Sequence, residues 1–146
     1  EAAKDKNISV IAADISDGAL EVARNNVRRN KANVTVVKSD LFENILGKFN
    51  IITANPPYVK SGEMASLQRE VRDFEPRIAL DGGEDGLDFY RRIAAGVRPH
   101  IARGGMLILE CGEDQAQDIL KIFSDCDYAM VVKDLAGKER IVKIVY

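Results

Sequence analysis

One histidine and two cysteines in 146 residues leave little from which to build a metal centre. His100 follows Pro99 in a basic stretch and reads as a surface or helix-end residue. Cys111 and Cys126 sit in apolar surroundings without metal-ligand spacing, so reduced thiols are expected rather than a disulfide. No apolar run approaches the length needed to span a bilayer, and no leader-like pattern opens the chain. Charge of one sign is not in excess either: 21 Lys and Arg face 23 Asp and Glu, a net charge of −2. A nucleic-acid-binding domain ordinarily carries a basic face, so no direct nucleic-acid binding is expected. Repeats and low-complexity tracts are missing too. What is there, with 46% hydrophobic and 30% charged residues, reads as one globular domain over residues 1–146, placed in the cytoplasm.

The apolar pattern alternates between strand-like and helix-like segments. "ISVIAADIS" (8–16) reads as a buried strand ending in an acid, after which Asp17 offers an N-cap. Leu20, Ala23 and Val27 then fall at i, i+3 and i+7 of a helix. "VTVVKSD" (34–40) and "FNIITA" (49–54) are further strands, and "GGMLILECG" (104–112) is a fourth, preceded by a helix over roughly 86–102. Ala116, Ile119, Leu120 and Phe123 mark another helix. Strands near 128–133 and 140–146 can pair antiparallel across "KDLAGKER", where Gly137 suits a turn. Strands alternating with helices and a closing hairpin predict an α/β fold with a mostly parallel sheet.

Residues 59–85 break this rhythm. They hold one plausible short helix around 63–73 and much irregular chain, and long connections in compact α/β domains usually carry function. Ligands of open parallel sheets bind beyond the carboxyl ends of the strands, where Asp14, Asp40, Asn55 and this insertion all fall.

Each of these residues has its own chemistry. Asp14, ending its strand, suits the ribose hydroxyls of a nucleotide-like cofactor; the plainer reading is an acid at a helix start, favoured by the dipole. Asp40 can accept from the exocyclic amine of an adenine, or simply form a turn. Asn55 opens "NPPY", where two prolines remove two backbone donors and fix two φ angles just past a strand. Its side-chain carbonyl and the Pro56 carbonyl make two acceptors side by side, able to take both hydrogens of a planar NH₂ group. Such a group belongs to a carboxamide, an adenine or a cytosine. Held this way, the nitrogen is fixed in place and positive charge building on it during attack is favoured. Tyr58 can cover the planar face and exclude water, and the stiff Pro56-Pro57 backbone limits the entropy lost on binding. The competing reading of "NPPY" is a plain strand-ending turn.

These residues carry a resemblance. "NPPY" after an apolar strand resembles the signature of methyltransferases that alkylate planar NH₂ nitrogens with S-adenosylmethionine. "FEPRIALDGGEDGLDFYRRI" (74–93), "LECGEDQ" (109–115) and "KDLAGKERIV" (133–142) narrow it further. Together they resemble the HemK-type glutamine N5-methyltransferases that modify peptide chain release factors and so act in translation termination. The resemblance runs from near Val10 to Tyr146. It implies a Rossmann-like fold, S-adenosylmethionine as cofactor, and as substrate the glutamine of a release factor's Gly-Gly-Gln motif. It places the substrate amide at Asn55, Pro56, Pro57 and Tyr58, with Asn55 and Pro56 as the catalytic acceptors. It places the cofactor at Asp14 (ribose), at Asp40 and Leu41 (adenine), and beside Asn55. Leu41 is often aromatic in relatives, so stacking on the adenine is weaker here. No metal is implied; Glu84, Asp85 and Asp88 fit a helix N-terminus instead. Arg69, Arg72 and Arg77 are read as solvated surface arginines, with contact to a protein partner as the other option.

The front of the chain departs from the family pattern. A Gly-rich loop and the first, central strand are expected before Asp14, but the sequence opens at "EAAKDKN", which reads as the end of the helix after such a loop. A sheet without that strand is expected either to bring the strands near 8–14 and 49–54 together or to self-associate through their edges. Two rival functions follow: an adenine-N6 nucleic-acid methyltransferase with the same Asn55–Tyr58 geometry, and a non-catalytic fragment that binds a partner.

Overall fold

The computed structural model describes residues 8–146, so the opening heptapeptide, expected as a helix end, lies outside the described residues. The chain divides after Gly47 into two compact units.

The first unit is built from β1 (Val10–Asp14), α1 (Asp17–Asn30) and β2 (Val34–Lys38). The strands pair in parallel, with Val10 opposite Val34 and Asp14 opposite Lys38. Leu20 of α1 is fully buried, and Ala23 and Val27 on the same stripe are half-buried, as the spacing predicts. The cap differs from the expected one by a residue. Ser16, in extended conformation, accepts the Ala19 N–H at 3.3 Å, whereas the Asp17 carboxylate is drawn to Lys38 Nζ at 2.7 Å. Asp17 thus sits inside the first turn, where its charge still meets the helix dipole favourably.

The second unit contains β3 (Phe49–Ala54), α2 (Arg69–Phe74), α3 (Asp88–Val97), β4 (Ile101–Glu110), α4 (Ala116–Ile122), β5 (Tyr128–Lys133) and β6 (Glu139–Val145). Its sheet runs β3-β4-β6-β5, with β3 parallel to β4 and β6 antiparallel to both neighbours. Only β6 therefore runs against the other three strands. The β5–β6 turn closes on Asp134, whose Oδ1 accepts the N–H groups of Ala136 (2.9 Å) and Lys138 (3.0 Å), while Gly137 takes φ +81°. Leu107, Leu109, Val142 and Ile144 of the sheet, Tyr90, Ile93 and Val97 of α3 and Ile119 of α4 are all fully buried and belong to the core. Each such side chain stabilises the fold by roughly 1.5–3 kcal/mol relative to exposure.

Several boundaries differ from expectation. The third helix stops at Val97, because Pro99 has no N–H to continue the ladder. β4 starts at Ile101 rather than 104: Phe49 pairs with Ile101 and Ile51 already with Met106, so β4 accommodates extra residues around Gly104, at φ +72°. The insertion forms three short pieces rather than one helix: 3₁₀ turns at Ser61–Ser66 and Arg77–Ala79 on either side of α2. Finally, β1 ladders with β2 and β3 with β4 in separate sheets, so of the two alternatives expected for the strands near 8–14 and 49–54, direct pairing is not found among the described residues.

Candidate active site

Asp14, Asp40 and Leu41 share the carboxyl end of the β1–β2 pair. Asp14 is exposed, and its Oδ1 accepts the Ser16 N–H at 2.8 Å. Its carbonyl accepts the Ser39 N–H at 3.0 Å, which ties the two strand ends together. Ser39 is buried; its hydroxyl donates to the Leu41 carbonyl (2.9 Å) and accepts the Asn44 N–H (3.0 Å). Asn44 Nδ2 in turn donates to the Lys38 carbonyl at 3.0 Å. This small knot holds Leu41 at φ +48°, a left-handed conformation costing a branched side chain about 1–2 kcal/mol. Strain of this kind gathers at ligand-binding turns.

Asn55, Pro56, Pro57 and Tyr58 follow β3 directly. Pro56 is buried, Pro57 and Tyr58 are half-buried, and Asn55 is exposed. The Asn55 side chain enters none of the described hydrogen bonds, which leaves its carbonyl available. Beyond Tyr58 the chain is laced to the far end of the insertion. Val59 N–H donates to the Leu80 carbonyl at 2.9 Å, Gly82 N–H to the Val59 carbonyl at 2.8 Å, and Ser61 N–H to the Gly83 carbonyl at 2.9 Å. Asp81 is the hub of this lacing. It accepts from the Ser61 hydroxyl (2.6 Å), the Gly83 N–H (3.1 Å) and Arg77 (3.0 Å). Those donors, the Ser61 hydroxyl foremost, hold its carboxyl below the usual range.

The loop also rests on a partner that sequence reasoning did not single out. Gln115, a buried residue, donates from Nε2 to the carbonyls of Tyr58 (2.9 Å) and Gly86 (3.2 Å). Its Oε1 accepts the Gly112 N–H at 3.0 Å. Close approach here demands small residues. A Cβ on Gly82 would come within 2.8 Å of the Pro57 carbonyl oxygen and of Tyr58 Cα. One on Gly112 would stand 2.8 Å from Gln115 Oε1 and 3.5 Å from the Tyr58 ring. The signal for these residues was present in the quoted motifs "DGGEDG" and "LECGEDQ", whose contacts with the loop lie far off in sequence.

Two of the acids expected at the helix start, Asp85 and Asp88, take a structural part there. Asp85 accepts the Leu87 N–H at 3.1 Å, and Asp88 lies in the first turn of α3; Arg91 pairs with both. No cluster suited to a metal ion occurs among the described residues. Arg69 and Arg72 bind Asp73, and Arg77 binds Asp81, so these exposed arginines pair with neighbours on their own surface. Cys111 and Cys126 are free thiols, and burial pushes the Cys111 thiol up. No described helix is long and apolar enough to cross a membrane.

The family model of the methyltransferase small domain matches residues 1–74, through β1, β2, the Asn-Pro-Pro-Tyr loop and α2. The chain belongs to that family. Among curated methyltransferases, it is 41% identical to the release factor glutamine methyltransferase of Geobacter sulfurreducens over 137 residues, covering 91% of this chain and 48% of the relative. It is equally similar, at 41%, to the protein of that name from Agrobacterium fabrum, covering 91% of this chain and 47% of that one. The chain thus spans about half the length of the curated relatives it matches. Among solved methyltransferase structures, one from Pyrococcus furiosus superposes with TM-score 0.72 at 20% identity, covering 99% of this chain and 66% of that one. The protein-(glutamine-N5) methyltransferase of Alicyclobacillus acidocaldarius, described as release factor-specific, gives TM-score 0.52 at 24% identity, covering 94% of this chain and 78% of that one. At these identities the superpositions establish the Rossmann-like methyltransferase fold, with its antiparallel closing hairpin.

Proposed function

We propose that these residues form the catalytic part of an enzyme that methylates the side-chain amide nitrogen of the glutamine in the Gly-Gly-Gln motif of peptide chain release factors, in the cytoplasm. The observation that carries this reading is the exposed Asn55 beside the buried Pro56, anchored at the carboxyl end of a parallel strand. The names of the curated relatives support the choice of glutamine over a nucleic-acid base.

Asn55 Oδ1 and the Pro56 carbonyl accept the two N–H bonds of the substrate amide. An amide nitrogen is a poor nucleophile because its lone pair is delocalised into the carbonyl. Two fixed acceptors strengthen their hold as positive charge grows on that nitrogen, and stabilisation of this kind is worth most where the dipoles are already in place. The acceptors also fix the direction of approach, which turns an encounter into an oriented one. Tyr58 lies against the flat face of the amide and keeps water away. No general base is assigned, since the proton leaves easily once the nitrogen carries the fourth substituent.

S-adenosylmethionine, when bound, supplies the electrophilic methyl group. The residues present fit it: the exposed Asp14 carboxylate suits the ribose hydroxyls, and Asp40 with the half-buried Leu41 suits the adenine. The test is radiolabelled methyl transfer by the whole protein to a release factor and, in parallel, to adenine-containing DNA. Label in the release factor alone supports this reading. Label in DNA alone favours the adenine-N6 alternative, and label in neither favours a binding role.

A further inference from the structure

The Asn-Pro-Pro-Tyr loop is anchored on either side of Asn55, Pro56 and Pro57, and both anchors belong to one short stretch of chain. Upstream, Ala54 closes the β3 ladder opposite Leu109 of β4. Downstream, the Tyr58 carbonyl is held by Gln115. The segment 109–115 therefore grips the loop at both ends. We propose that Gln115 is a positioning residue for methyl transfer: it sets the direction of the Asn55 and Pro56 acceptors by pinning the loop at Tyr58, without touching the substrate itself. The inference rests on the glutamine-methyltransferase reading above.

The hydrogen-bonding capacity of the side chain shows how closely it is matched to this place. An amide has two N–H donors, and both are spent, one on Tyr58 and one on Gly86. Its oxygen takes the Gly112 N–H. A carboxylate of the same shape would set an acceptor against two carbonyl oxygens, and an apolar chain of the same length would leave those oxygens buried without a donor. The pin is transmitted to the site because Pro56 and Pro57 cannot rotate about φ. With Ala54 fixed by the ladder and Tyr58 by Gln115, little freedom remains for Asn55. A displacement of about 1 Å at the reacting groups can cost about 10²-fold in rate.

The experiment compares Gln115→Glu, Gln115→Met and a core variant outside the loop, Ile144→Val, in the whole protein, with the melting temperature of each measured alongside. Steady-state methyl transfer to a release factor gives kcat and KM, and amide hydrogen exchange reports on Val59 and Gly82, whose N–H groups lace the loop. Both Gln115 variants are expected to lose about 10²-fold in kcat, with KM for release factor and cofactor little changed. Exchange at Val59 and Gly82 is expected to rise while Leu107 in β4 stays protected. Ile144→Val is expected to keep its kcat and its exchange at the loop. A wild-type kcat in either folded Gln115 variant, or a loss matched by Ile144→Val, overturns the proposal. If the wild-type protein methylates no release factor, the substrate reading falls instead. The exchange measurement then decides the pin by itself, and unchanged protection at Val59 and Gly82 overturns it.

Discussion

Gln115 Nε2 lies 2.9 Å from the carbonyl oxygen of Tyr58, across 57 residues of sequence. Gly86 shares that side chain at 3.2 Å and adopts φ +76°. A Cβ at Gly86 would fall 2.5 Å from both Gln115 Nε2 and the Tyr58 carbonyl oxygen. Gly86→Ala is therefore expected to destabilise the fold by roughly 1–3 kcal/mol, through the positive φ and the overlap together. Denaturant titration measures it, and a change within a few tenths of a kcal/mol would mean the contact is slack.

Tyr58 is assigned a packing role, since its ring lies along Gly112 and its hydroxyl enters none of the described hydrogen bonds. Tyr58→Phe should keep turnover within about threefold, and Tyr58→Ala should lose at least about tenfold. Steady-state rates on a release factor decide between the two. If Phe is as damaging as Ala, the hydroxyl takes part in the chemistry.

Much of this arrangement is legible in the sequence because local patterns decide it. The apolar run closed by Asp14 gives β1, and the run from Val34 gives a β2 that stops at Lys38, two residues short of the expected Asp40. The 3.6-residue stripe of Leu20, Ala23 and Val27 gives α1, and Gly137 marks the hairpin turn. Asn55 stands out because adjacent prolines after a strand are a rigid and unusual way to end one. What stays hidden depends on partners distant in sequence. The start of β4 is set by Phe49 pairing with Ile101, the cap of α1 by Lys38 drawing Asp17 away, and the setting of the loop by Gln115. No local periodicity encodes any of these three.

Leu41 offers a test of the cofactor contact proposed for it. Its left-handed backbone is one that Asn adopts more readily than Leu. Leu41→Asn should therefore melt at or above the wild-type temperature. It should also bind S-adenosylmethionine about tenfold more weakly, the loss of one modest apolar contact. Calorimetry gives both quantities. A lower melting temperature would show that the Leu41 side chain supports the fold rather than the ligand.

Acid should loosen the loops that hold the lowered carboxyls, the insertion among them. Asp81 has its carboxyl held below the ordinary value by Ser61, Gly83 and Arg77, and Asp73, Asp85 and Asp134 are lowered likewise. A carboxyl lowered in the folded state contributes stability above its unfolded pKa and loses it as pH falls through the folded one. Stability is thus expected to be level near neutrality and to decline as pH drops through and below the ordinary carboxylate range. Asp81→Asn should flatten part of that decline. Thermal melts across the acid range check it, and an Asp81→Asn profile as steep as wild type would contradict it.

Asn55 is proposed to present an acceptor to a glutamine amide. The most direct test is mass spectrometry of a release factor after incubation with S-adenosylmethionine and either the wild-type protein or Asn55→Ala. With wild type, one methyl group should appear on the glutamine of the Gly-Gly-Gln motif. With Asn55→Ala the rate should fall by about 10²–10³ while the melting temperature stays nearly unchanged, because the exposed side chain carries little of the fold. A folded Asn55→Ala protein that methylates the same glutamine at the wild-type rate would contradict the account.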